Sequence, residues 1–147
     1  MNTLEIACDW REGLKFTASS GSNEISIDAK RPFGTETAMN PKELVLAGLG
    51  ACAAMDIASL MRKYKQEFSS LRVSTKALMT KGEQPITFSE FHLTFYVEGK
   101  IDSALLLQTV TLSQTKYCGV SAMAVKAGPV FYRVFLNNQE IGQGQAK

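Results

Sequence analysis

One stretch constrains the fold of this chain more than any other: NPKELVLAGLGACAAMDIASLMRKYK, residues 40–65. Asn40 has the side chain of a good helix N-cap, Pro41 suits the first helical position, and Glu43 falls three residues after the cap. Together they predict a helix that begins at Pro41. Residues 44–61 are apolar nearly all round that helix, so we expect it to be enclosed on most sides.

Around this helix the sequence alternates between strand patterns and turn patterns. Strands are predicted near residues 4–10, 14–19, 24–28, 71–79, 86–98 and 128–136, and further helices at 103–116 and 119–126. This order of elements is an α+β pattern rather than a series of βα units. A chain of 147 residues is expected to form a single domain, 1–147, in which 137–147 is a weakly ordered tail.

The apolar helix also bears on assembly. One sheet can cover only one side of such a helix, so the other side needs a second helix or a second subunit, and we infer a homodimer. Residues 44–61 are about long enough to cross a bilayer. However, Asp56, the glycines and the alanines make the stretch weakly apolar, so a core helix and no membrane partner are expected.

Charge and cysteine content exclude several function classes. The net charge is +2 with no cluster of Lys and Arg, which argues against a nucleic-acid partner. The N-terminus has no signal-peptide pattern, and the odd cysteine count (Cys8, Cys52 and Cys118) favours the reducing cytoplasm over a disulfide framework. No C-x-x-C motif occurs, and the one histidine is His92, so no metal site is expected.

Two of the cysteines stand in distinctive surroundings. Small residues flank Cys52, which allows another backbone or a ligand to approach its thiol. A helix beginning just after Cys118 would favour a thiolate there, with help from Lys116. From the residues alone, two inert core cysteines and a working pair both stay open. Asp56, one turn past Cys52, either tunes the thiol or, as we favour, pairs with a basic neighbour for structural reasons.

The two cysteine motifs together resemble those of a known family. NPKELVLAGLGACAAMDI at 40–57, followed by LSQTKYCGVSAM at 112–123, is similar to the OsmC/Ohr family of osmotically inducible and organic-hydroperoxide-resistance proteins. The likeness runs from WREG at 10–13 to GPVFYRV at 128–134, and the KYCGV form resembles a less characterised OsmC-like branch. The resemblance implies an OsmC-like fold, with antiparallel sheets wrapped around two long central helices in an intertwined homodimer.

The resemblance also implies a chemistry. Cys52 matches the peroxidatic cysteine, whose thiolate attacks an organic hydroperoxide and becomes a sulfenic acid. Cys118 matches the resolving cysteine, which condenses with that sulfenic acid to form a disulfide. No bound cofactor is implied. An external dithiol of the dihydrolipoyl type reduces the disulfide, and a lipoylated protein is a candidate partner.

A buried thiol needs a nearby cation to become a thiolate, because burial disfavours its charged form. The resemblance implies an arginine held by a glutamate. Arg11 in WREG and Arg31 in KRPFG are both candidates, with a slight preference for Arg11, and a plain surface role stays open for each. The position of the family's glutamate is Lys42 here, and Glu43 lies one residue further on, which turns a side chain by about 100°. We favour capping over catalysis for Glu43.

The sequence thus predicts a cytoplasmic enzyme, a thiol-dependent peroxidase that reduces organic hydroperoxides in defence against oxidative stress. Two alternatives of the same fold stay open. One is a non-catalytic module that binds a small apolar ligand beside Cys52, and the other is a redox sensor that uses Cys52 and Cys118 without turnover.

Overall fold

The computed structural model describes residues 2–147, and its contacts divide the chain into two compact units, Met1–Val45 and Leu46–Lys147. The N-terminal unit contains a three-stranded antiparallel sheet. Its strands are β1 (Ala7–Glu12), β2 (Lys15–Ser20) and β3 (Asn23–Ile27), in the order β1-β2-β3. The three strands predicted in this part of the sequence are confirmed.

Both hairpins of this sheet turn at a glycine. Gly13 has φ +54° and Gly21 has φ +58°, a left-handed conformation that glycine adopts without strain. The sheet buries little apolar surface, since Ala18 is its one buried hydrophobic residue among the residues described. Large side chains such as Trp10 stay 64% exposed. The sheet therefore has almost no core of its own, which is why it forms a separate unit.

The loop after β3 is organised by one carboxylate, that of Asp28. Asp28 Oδ2 accepts hydrogen bonds from Thr35 Oγ1 at 2.7 Å, Thr37 Oγ1 at 2.9 Å and the Thr37 N–H at 3.0 Å. Its Oδ1 accepts the Ala29 N–H at 2.8 Å. These donors, with the Thr37 N–H foremost, hold the pKa of Asp28 well below its usual range. The sequence predicts only an irregular loop here.

Helix α1 spans Pro41–Lys63 and begins where predicted, because Asn40 Oδ1 accepts the N–H of Glu43 at 2.8 Å. Its buried residues form one stripe along the helix: Leu49, Gly50, Ala53, Ile57 and Met61. On another face Met55 is 71% exposed. The chain by itself therefore covers one side of α1, whereas the sequence predicts enclosure on most sides. The buried stripe makes α1 the core helix of the C-terminal unit.

The C-terminal unit contains a four-stranded sheet. Its strands, in spatial order, are β4 (Phe68–Met79), β5 (Phe88–Gly99), β6 (Val130–Leu136) and β7 (Gln139–Gln145). The β4–β5 and β6–β7 pairs are antiparallel, whereas β5 and β6 are parallel. The sheets are antiparallel as expected except at this pair, where a helical crossover returns the chain to the same end of the sheet. The predicted α+β class is confirmed.

The core lies where this sheet meets α1. Every second residue of β5 is buried, with Phe91, Leu93, Phe95 and Val97 each at most 2% exposed, as the alternation in the sequence predicts. Gly50 marks a close approach of α1 to the sheet, because a side chain there would meet the Thr75 hydroxyl.

Strand β7 replaces the weakly ordered tail expected at 137–147. Its sequence, QEIGQGQ, has little strand propensity. The glycines are required by packing instead. A side chain at Gly142 would collide with Leu107, and one at Gly144 would collide with Tyr132.

Three helical segments connect β5 to β6. Helix α2 spans Ser103–Leu112, and the Asp102 side chain caps it by accepting the Leu105 N–H at 2.8 Å. The segment Ser113–Tyr117 widens into a π turn that the sequence did not predict. Helix α3 then spans Gly119–Val125, in good agreement with the helix predicted at 119–126.

Candidate functional site

The C-terminal unit brings Cys52 and Cys118 together. Cys52 lies in the middle of α1, is half-buried and packs against the core, whereas Cys118 is 4% exposed. The two thiols are neighbours in this core, close enough for Cys52 to raise the pKa of the Cys118 thiol, and both are free. Residues far apart in the sequence thus form one pair of neighbouring thiols.

Cys118 is the N-cap residue of α3. Its backbone is extended, with φ −73° and ψ 100°, and its Sγ accepts the Ser121 N–H at 3.3 Å. Burial is the largest influence and raises the pKa of the Cys118 thiol; Ser121 lowers it, and the neighbouring Cys52 raises it further. The Ser121 N–H at the start of α3 thus favours the thiolate, while burial disfavours it more strongly. Lys116 is exposed, with Nζ 5.3 Å from the Tyr117 ring centre.

Asp56 has a hydroxyl partner instead of the basic partner we favoured. Its Oδ2 accepts a hydrogen bond from Ser113 Oγ at 2.8 Å, and no ion pair involves Asp56 within residues 2–147. Because Asp56 is only half-buried, water and one hydroxyl are enough to solvate its carboxylate.

Sequence reasoning missed three polar residues that lie in the core beside Cys118. Ser113, Gln114 and Ser121 are 0%, 2% and 0% exposed. Gln114 Nε2 donates to Ser113 Oγ at 3.2 Å, and Gln114 Oε1 accepts from Ser121 Oγ at 2.8 Å. We call Asp56, Ser113, Gln114 and Ser121 the polar network. Ser113 and Gln114 stand among other polar residues of the helix pattern, QTVTLSQTK at 108–116, so no local signal singles them out.

The two candidate arginines belong to the N-terminal unit. Arg11 lies in β1, where its Nε donates to Thr17 Oγ1 at 2.9 Å. Arg31 lies in the loop after β3. Both side chains are exposed, and neither makes an ion pair with a carboxylate in the part of the chain described.

Glu43 pairs with a lysine that sequence reasoning did not single out. Its Oε1 is hidden from solvent and has no well-aligned hydrogen bond, so the Lys30 ammonium 3.1 Å away balances its charge. Lys30 also lies 3.1 Å from Glu36 Oε1, and bonds to Glu36 and then Glu43 raise the pKa of Lys30. Within residues 2–147 the Glu43 side chain makes no reciprocal bond to the Asn40 N–H, so the predicted capping box is only half formed.

Other parts of the described chain offer less chemistry. No group of three or more His, Cys, Asp or Glu side chains in residues 2–147 could hold a metal ion. A groove of about 690 Å³ lies on the outer face of the C-terminal sheet, away from both thiols. Two of its lining residues already have carboxylate partners: His92 Nε2 lies 2.6 Å from Glu90 Oε1, and Arg133 Nη2 lies 2.8 Å from Glu140 Oε2. This groove is a solvated sheet face.

Comparison with known proteins gives a consistent result. A family model described as OsmC-like protein matches residues 34–132, which include both Cys52 and Cys118. Protein YhfA of Escherichia coli (strain K12) is 33% identical over 126 residues, covering 84% of this chain and 91% of YhfA.

Solved structures share the fold at lower identity. An OsmC-like protein from Mycoplasma pneumoniae has a TM-score of 0.80 at 16% identity, covering 92% of this chain and 97% of that one. An organic hydroperoxide resistance protein, OsmC, from Legionella pneumophila has a TM-score of 0.68 at 16% identity, with coverage of 91% and 97%. At such identities the likeness shows the fold alone.

Proposed function

Because the chain belongs to the family of OsmC-like proteins, we propose that it is a thiol-dependent peroxidase that reduces organic hydroperoxides to alcohols. Membership of this family indicates a peroxide-related stress function, and the choice of organic hydroperoxides as substrate is the proposal. The observation that supports it is the proximity of the Cys52 and Cys118 thiols, one half-buried and one buried.

The half-buried thiol, that of Cys52, is the one a substrate can reach. Its thiolate attacks the distal oxygen of the hydroperoxide, the O–O bond breaks, and the alcohol leaves with the proton it needs. The Cys118 sulfur then attacks the Cys52 sulfenic acid, the S–O bond breaks and water leaves. Two thiols have been oxidised to one disulfide, and one hydroperoxide has been reduced to alcohol and water.

An external dithiol completes the cycle. A dihydrolipoyl-type dithiol, carried by a lipoylated protein, reduces the disulfide by thiol–disulfide exchange. Exposed apolar side chains near the thiols in sequence, Met55 at 71% and Met123 at 62% exposure, suit an apolar substrate or reductant arm. We also propose a cytoplasmic location, because a reducing compartment keeps thiols free and supplies the dithiol that the cycle requires.

A cation must stabilise the Cys52 thiolate, and Arg11 and Arg31 are both kept as candidates. Each is exposed, and neither is paired with a carboxylate within residues 2–147. Glu43 is the remaining candidate among the residues that would activate the Cys52 thiol. Its partner in the N-terminal unit is Lys30, so any arginine that Glu43 orients must compete with that ammonium.

We also propose a homodimer. Large apolar side chains remain uncovered in both units: Trp10, Phe33, Met55 and Met123 are each more than half exposed. A second copy of the chain would cover the open side of α1 and the N-terminal sheet, which monomeric proteins rarely leave bare.

The test is mass spectrometry and steady-state turnover with cumene hydroperoxide and dihydrolipoamide. We expect the protein to lose two thiol hydrogens, to gain a Cys52–Cys118 link that the dithiol reverses, and to consume peroxide steadily. Cys52→Ser removes the nucleophile and should reduce consumption to the uncatalysed rate, whereas Cys8→Ser, at an exposed thiol, is the matched control.

The alternatives give different results in the same experiment. A reversible disulfide without steady turnover would identify a redox sensor. Two thiols that stay unmodified in the native protein would identify a ligand-binding module. Equal rates for Cys52→Ser and the unsubstituted protein would refute the peroxidase.

A further inference from the structure

The polar network places polar side chains in the core of the C-terminal unit, where each of them needs a hydrogen-bond partner. Burial of an amide or a hydroxyl without a hydrogen-bond partner is unfavourable, and the surrounding core is apolar. Ser113, Gln114 and Ser121 avoid this cost by bonding one another in a single line. The line has two ends, one at the Asp56 carboxylate and the other at the Cys118 sulfur.

The carboxylate end fixes the direction of the three side-chain bonds in this line. Ser113 Oγ donates its one hydrogen to Asp56 at 2.8 Å, so it can only accept from Gln114 Nε2. That bond orients the Gln114 amide, because the flipped amide would set its oxygen against an oxygen with no hydrogen left to give. Gln114 Oε1 then accepts from Ser121 Oγ, and the Ser121 N–H donates to Cys118 Sγ.

Ser113 also connects Asp56 to Cys118 directly, through its hydroxyl at one end and its backbone carbonyl at the other. Its backbone carbonyl accepts the Cys118 N–H at 2.7 Å, the bond that closes the π turn. Its hydroxyl bonds Asp56, which lies four residues after Cys52 on α1 and therefore on the same face of that helix. Helix α1 thus carries both the thiol Cys52 and the anchor for the segment that carries Cys118. π turns of this kind are frequent at functional sites.

We propose that the polar network positions Cys118 for attack on Cys52. This inference rests on the proposed function and deepens it. In the step concerned, the Cys118 sulfur supplies the electron pair for the new S–S bond while the S–O bond of the Cys52 sulfenic acid breaks. The oxygen leaves as hydroxide and takes the proton of the thiol to form water. A disulfide tolerates only a narrow range of separations, so a fixed π turn raises the rate.

Gln114→Met is the decisive variant, because it keeps the length of the side chain and removes both of its hydrogen bonds. Thr109→Val is the matched control: Thr109 is 0% exposed, and its hydroxyl bonds only the Leu105 carbonyl, at 2.8 Å, outside the polar network. Asp56→Asn is the conservative variant, since its amide oxygen can still accept from Ser113.

The measurement is a single turnover with cumene hydroperoxide, in which sulfenic acid and disulfide are quantified over time. We expect Gln114→Met to form the sulfenic acid at the unsubstituted rate and the disulfide roughly tenfold more slowly or worse. Thr109→Val and Asp56→Asn should change the second rate by less than about threefold. A Gln114→Met protein with an unchanged second step, or with both steps slowed alike, would overturn the positioning role.

A second readout separates this inference from the peroxidase itself. In a glutathione redox buffer the Cys52–Cys118 disulfide forms by thiol exchange, without peroxide. In that buffer the effective concentration of the Cys118 thiol relative to Cys52 should also fall roughly tenfold in Gln114→Met. If the unsubstituted protein ignores hydroperoxide but shows this fall, the proposed function is wrong and the positioning stands. If the unsubstituted protein reacts with hydroperoxide but the effective concentration does not fall in Gln114→Met, the positioning role is wrong.

Discussion

In the C-terminal unit, alternate side chains of β5 pack against one stripe of α1, whereas the sheet of the N-terminal unit buries one hydrophobic residue, Ala18. The loop of the N-terminal unit is held instead by hydrogen bonds to a single carboxylate, Asp28. The two units therefore draw stability from different sources. One has a hydrophobic core, and the other has a polar anchor and a surface that needs a partner.

The largest loss of stability is expected when a core side chain of the C-terminal unit is removed. Phe95→Ala, at a residue 0% exposed in β5, should lower the free energy of unfolding by about 3–5 kcal/mol. Ile25→Ala, at a residue 43% exposed in β3, should cost less than about 1 kcal/mol. Urea denaturation followed by circular dichroism measures both. Equal losses would mean that the N-terminal sheet also depends on a core.

A smaller effect is expected on the proposed homodimer, in which the N-terminal sheet would meet a second copy of the chain. Trp10→Ser removes a side chain that is 64% exposed, and we expect it to weaken the dimer at least about tenfold. Analytical ultracentrifugation over a concentration series measures this. Glu24→Gln, on the same sheet, is the control. A dissociation constant that Trp10→Ser leaves unchanged would place the interface elsewhere.

The smallest effect is local and depends on pH. Because hydrogen bonds lower the folded-state pKa of Asp28, its charged form stabilises the loop. That stabilisation is complete above about pH 4, the ordinary value for aspartate, and is lost as the pH falls further towards the folded-state pKa. Asp28→Asn should remove it at every pH.

Hydrogen exchange of the Thr37 amide measures this loss, since that N–H donates to Asp28 Oδ2. Exchange should quicken in Asp28→Asn, while the amides of β5 stay protected. Asp9→Asn, at an exposed residue of β1, serves as the control. A loop amide equally protected in both variants at neutral pH would show that Asp28 is not its anchor.

Local signals in the sequence were enough for most of the fold. Asn40 and Asp102 cap the two helices predicted from them, and the alternation around Phe95 identifies the buried face of β5. These features act within a few residues, so a sequence displays them. The contact between Cys52 and Cys118 was implied by family resemblance, because nothing local relates two distant thiols.

The features that the sequence did not predict depend on distant contacts. Gly142 and Gly144 weaken any strand signal, yet they are needed where Leu107 and Tyr132 pack against β7. The π turn and the polar network require Gln114 to find Ser121 across a turn, which no propensity encodes. Lys30, in the loop after β3, pairs with Glu43 in the first turn of α1, and no local pattern relates the two.

The parallel pairing of β5 with β6 sets the order in which the thiol pair is assembled during folding. Phe91 pairs with Val130, and the whole segment that carries Cys118 lies between them in the sequence. Closing so long a loop costs entropy before any contact repays it, which makes such pairings slow. A chain that is still folding therefore carries Cys52 and Cys118 as two separate thiols, and an oxidant that reaches it then meets each of them alone.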